Sequence, residues 1–147
     1  MIPIHYNKRG SLSASAFSAA EKKGLSIIRD LYATDEYIRS TAETLVYNAR
    51  ENDKKKSEKI GIAGVLMLPA ILISSCISDE ETEPGFCLYD TAKPESNSHA
   101  DAFQRLFETS DGVRIKRREA LLELAKDKFI HVNEFRGGLL SDLAPEI

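Results

Sequence analysis

Residues 60–78 are nineteen consecutive positions without a charged side chain, in a chain of 147. Lys54, Lys55, Lys56 and Lys59 precede the run, and Asp79, Glu80, Glu81 and Glu83 follow it. As a helix rising about 1.5 Å per residue it would span roughly 28 Å, close to the hydrocarbon thickness of a bilayer. The lysines would then mark the cytoplasmic side. Pro69, Gly61, Gly64, Ser74, Ser75 and Ser78 dilute the hydrophobicity that a lone span must supply, and such breaks belong where neighbouring elements surround the backbone. A buried central helix over 60–78, broken at Pro69, is therefore the expectation, and a single membrane span is the alternative. The run ending in Ile73-Ser74-Ser75-Cys76 also mimics a lipoprotein export signal, but such signals begin a chain and this one lies in its middle.

The remaining sequence reads as helical. Phe17, Ala20, Gly24, Ile28 and Leu31 share one face of a helix predicted over 14–32. Thr34, with Asp35 and Glu36 behind it, caps a second helix over 34–54 that carries Ile38, Ala42, Leu45, Val46 and Ala49. Ser98 and Asp111 mark the starts of helices over 100–109 and 113–135, the last with Leu121, Ala125, Phe129 and Val132 on its buried side. Pro84-Gly85, Pro94 and a Ser/Asn cluster make 79–98 a long irregular loop. Residues 1–12 read as an extended arm and 139–147 as a tail. The expected fold is all-α, one domain over 1–147 built as a compact bundle of four to five helices.

Composition limits the chemistry. Cys76 and Cys87 are too few for a disulfide framework and match no zinc or redox spacing, which favours a reducing compartment and a cytoplasmic location. His5, His99 and His131 are scattered, and no phosphate-binding, dinucleotide-binding or nucleophile-elbow motif is present. Neither a cofactor nor a metal site is expected, and Cys87 has no local signal of activation. A carboxylate-bridged metal site at His131 and Glu134 lacks the further inward carboxylates it would need.

One cluster carries more information. Arg114, Lys116, Arg117 and Arg118 lie in the first turns of the last helix, where the dipole opposes positive charge unless an anion is near. The chain's own 79–83 acidic run is the first expected partner, with an acidic protein surface or a phosphate backbone as the others. The functional expectation is a non-catalytic accessory subunit or interaction module docking into a larger assembly. Two alternatives stand beside it. One is the single-pass membrane protein. The other is a helical small subunit of a nucleoprotein complex of the CRISPR type, an analogy of size and helicity, touching nucleic acid through Arg114 to Arg118.

Overall fold

In the structure, a computed structural model describing residues 12–55, 57–94, 97–105 and 110–146, strands occupy much of what reads as helix. Three α-helices are present among the described residues, α1 (Asp35–Asn52), α2 (Ala70–Ser74) and α3 (Asp111–Ala125). Five strands accompany them: β1 (Leu25–Ile28), β2 (Gly64–Leu66), β3 (Phe86–Asp90), β4 (His99–Gln104) and β5 (Phe129–His131). They form two antiparallel sheets, one ordered β1-β4-β3 and the other β2-β5. The fold is mixed α/β, which corrects the all-α bundle.

Each correction has a local cause. The helix expected over 14–32 is split at Gly24, whose φ of +80° suits glycine and where a Cβ would stand 2.6 Å from the Phe103 ring. A 3-10 segment (Ala14–Glu21) precedes this break, and β1 with a short 3-10 turn (Asp30–Tyr32) follows it. The expected helix at 100–109 begins as β4, where Ala100, Ala102 and Gln104 are buried in strict alternation. Residues 106–109, the rest of that expected helix, lie outside the described residues. Ser98 caps no helix: it is buried, and its carbonyl accepts from the Arg29 N–H at 2.7 Å. The 79–98 loop contains β3, and the last helix stops at Ala125 before β5.

The apolar run is divided rather than helical throughout. Gly64 opens β2 because a Cβ there would stand 2.4 Å from the Ile130 carbonyl of β5. Pro69 does not kink a helix but precedes one, in the flanking position before α2. Among the described residues no helix is long and apolar enough to cross a membrane. β2 is buried at all three positions, and a short strand covered on both faces reads as an unbroken apolar run.

Two apolar clusters meet at β2. Strand alternation sends Leu66 into one, with Phe17, Leu25, Ile73, Phe86, Ala102 and Leu121 on the inner face of the three-stranded sheet. Val65 enters the other, where Ile38, Ala42 and Val46 of α1 meet Val132, Phe135 and Leu140. The supposed tail is thus part of the core. Leu140 is fully buried, Asp142 pairs with Arg39, and the Leu143 carbonyl accepts from the Ile62 N–H at 2.7 Å.

Of the three expected caps, Thr34 holds, Ser98 caps no helix and the third is shifted by one residue. Thr34 Oγ1 accepts from the Tyr37 N–H at 3.2 Å. At α3 the cap is Ser110, accepting from Val113, and Asp111 is the acidic residue of the first turn.

Candidate functional site

Where β1 ends, Arg29, Asp30, Leu31 and Tyr32 form a turn held from two sides. Arg29 donates from Nη1 to Asp90 Oδ2 at 3.1 Å and from Nη2 to the Asn97 carbonyl, and its guanidinium lies 5.2 Å from the centre of the Tyr32 ring. Arg136 reaches the same turn from the C-terminal segment, donating to Asp30 Oδ1 at 2.7 Å and Asp35 Oδ1 at 2.5 Å. Its φ of +46° is a left-handed conformation that a non-glycine residue adopts at a cost. The Asp35 and Asp30 carboxylates hold its pKa above the usual arginine range. The Ala92 N–H, then Arg29, holds the Asp90 carboxyl below the usual carboxylate range.

Between these anchors Leu31 is 86% exposed. A large apolar side chain is thus displayed on a turn whose backbone is tethered at both ends. Beside it opens a cavity of about 380 Å³, walled by the inner face of the sheet (Ile27, Leu88, Ala100) and by Leu66, Leu68 and Ile73. Leu31, Ala70, Tyr89 and Asp90, all exposed, stand at its mouth. Its size and apolar walls are those of a recognition pocket, and its rim adds a few polar groups of both signs. Sequence reading missed this site. Leu31 has helical spacing from Ile28, and only the break at Gly24 and the exposure of the turn reveal where it stands.

The four cations singled out from sequence are dispersed among four internal carboxylates. Arg114 pairs with Asp111 one turn back, Lys116 with Glu80, Arg117 with Glu81 and Arg118 with Glu21. Arg117 is the buried member. Its Nε donates to Glu81 Oε2 at 2.9 Å and its Nη1 to the Arg105 carbonyl, which fastens the 79–83 segment to α3 and to the end of β4. The Glu81 carboxyl is held below the usual range, first by the hydrogen bonds from Arg117. A Cβ at Gly85 would stand 2.7 Å from the Arg117 side chain, so glycine makes room for the ion pair. The pair borders a wider, polar cleft of about 740 Å³ that also touches Glu83, Gln104 and Arg105.

Register also creates a contact that spacing could not reveal. Ile28 pairs with His99 and Ser26 with Asp101, which puts Ser26 and His99 diagonally on the sheet's outer face. Ser26 Oγ is 2.6 Å from His99 Nε2, and Thr91 Oγ1 is 2.7 Å from Nδ1. A hydroxyl against an imidazole is also the geometry of an activated nucleophile, but neither Ser26 nor His99 lines either cavity. A serine-directed fluorophosphonate is expected to leave Ser26 unmodified in intact-mass measurement, whereas stoichiometric labelling at neutral pH would make this network catalytic. Among the described residues no group of three or more His, Cys, Asp or Glu side chains is placed to hold a metal ion. No family model, curated protein or solved structure matches the chain.

Proposed function

We propose that this chain is a non-catalytic interaction module, an accessory subunit that docks through the face formed by Leu31 and the adjoining cavity. The observation that carries the reading is Leu31 itself, 86% exposed on a turn gripped by Arg29 and Arg136. Exposed leucines are common singly, but this one stands on a tethered turn beside an apolar cavity, and an apolar anchor next to a hole is how interfaces concentrate binding energy. A left-handed arginine spent on tethering a surface turn supports the same view, because such strain persists where surrounding contacts over-determine it. The two thiols, Cys76 and Cys87, fit action in the reducing cytoplasm.

The nucleoprotein analogy loses its ground with the all-helical fold. A phosphate backbone would also have to displace the carboxylates that now meet Arg114, Lys116, Arg117 and Arg118.

The test is a photo-crosslinking residue placed at position 31, with position 47 on α1 as a control of comparable exposure, since Tyr47 is 65% exposed. In the cells that make the chain, position 31 is expected to give a discrete adduct and position 47 none. No adduct from 31, or equal adducts from both, would remove the docking face.

A further inference from the structure

We infer that the partner at this face is a second copy of the chain, joined about a two-fold axis with each Leu31 seated in the other protomer's cavity, an inference that rests on the docking reading above. A two-fold interface requires a patch that is its own complement. Here the projecting side chain and the hole share one face: Leu31 is 86% exposed, and it stands on the rim of a cavity of about 380 Å³ walled by Ile27, Leu66, Leu68, Ile73, Leu88 and Ala100. A partner of other kind needs only one of the two features to be matched. A second copy uses both at once.

Charge around the face agrees. Arg29 lies beside Asp90, and Arg136 beside Asp30 and Asp35. A patch of one sign would repel its own image, whereas these charges are neutralised in pairs within each protomer and leave two copies of the apolar face free to meet. Dispersion supplies the gain, because walls facing empty space forgo contacts that an inserted leucine restores.

The experiment is analytical ultracentrifugation of the full chain over a concentration series, with Leu31→Asp and Ala70→Phe measured alongside. Both substitutions sit at exposed positions at the mouth, so the fold is retained, which thermal melting checks. The wild-type chain is expected to be a dimer. Leu31→Asp would carry a charge into the other protomer's largely apolar cavity and should raise the dissociation constant by about 100-fold or more. Ala70→Phe plugs the mouth and should weaken the dimer in the same direction. A wild-type chain that stays monomeric at every concentration overturns the inference, as does a dimer indifferent to both substitutions. If the monomer nevertheless yields a crosslink from position 31 to another protein, the docking face stands and only the second copy is wrong. If there is neither dimer nor adduct, both readings fall.

Discussion

Leu66→Asp is expected to abolish cooperative thermal melting, while Ile71→Asp, five residues further along the same uncharged run, leaves it nearly unchanged. Leu66 is 2% exposed in β2 and paired with Phe129, at the junction of the two core clusters. A carboxylate there would be buried in the apolar cluster of Phe17, Leu25, Ile73 and Phe86, which costs several kcal/mol, comparable with the whole stability of an ordinary domain at about 5–15 kcal/mol. Ile71 is 68% exposed on α2, and an exposed substitution of this kind falls within about 0.5 kcal/mol of neutral. Circular dichroism melting curves of the two variants decide the matter. A continuous buried helix or a membrane span would place both positions in apolar surroundings and make both changes severe, so equal damage would contradict the division of residues 60–78 into β2 and α2.

The second large effect is expected at Glu81. Its carboxylate takes two donors of Arg117, whose side chain is only 6% exposed. Glu81→Ala leaves that guanidinium buried without its counter-charge, and losing one partner of such a pair costs about 3–5 kcal/mol. Glu81→Ala with Arg117→Met together should cost distinctly less than Glu81→Ala alone, because the orphaned charge goes as well. The pH dependence follows from the same contact. Hydrogen bonds from Arg117 lower the Glu81 pKa from its ordinary value of 4.5. The unfolded chain therefore binds the proton more readily, so this contribution to stability is complete above that value and is lost as pH falls below it through the native pKa. Urea melts between neutral pH and pH 3 should show a steeper acid limb in the wild-type chain than in the double variant. Parallel limbs would mean that the pair contributes nothing. Asp90 and Asp142, also held low by their partners but more exposed, bend both curves in the same sense.

Helices with unambiguous ends are legible in the sequence. Thr34 with Asp35 and Glu36 marks α1, and the spacing of Ile38, Ala42 and Val46 gives its buried face. The acidic run as a partner is legible for Lys116 and Arg117 only, because the dipole requires an anion and 79–83 concentrates acid, whereas Arg114 takes Asp111 and Arg118 takes Glu21. Short strands are not. Four residues of β1 and three of β2 contain too few positions to distinguish a period of two from one of 3.6. At β4 the alternation was present in His-Ala-Asp-Ala, but the inward residues are alanines, which suit a helix equally well. Gly24 and Gly64 carried the decisive signal. Each is a glycine because another element comes too close for a side chain, which cannot be known before the partner is placed. The candidate site was hidden for the same reason, since its walls come from β1, β2, β3, β4, α2 and the segment following β2.

The docking face is tested most directly by hydroxyl-radical footprinting of the chain in its native extract against the purified chain at high dilution. Protection is expected at Leu31, Met67 and Tyr89, which line the cavity, with Tyr47 on α1 and Ile115 and Leu124 on α3 unchanged. Protection of Tyr47, Ile115 or Leu124 with Leu31 still fully reactive would place the interface elsewhere and contradict the account.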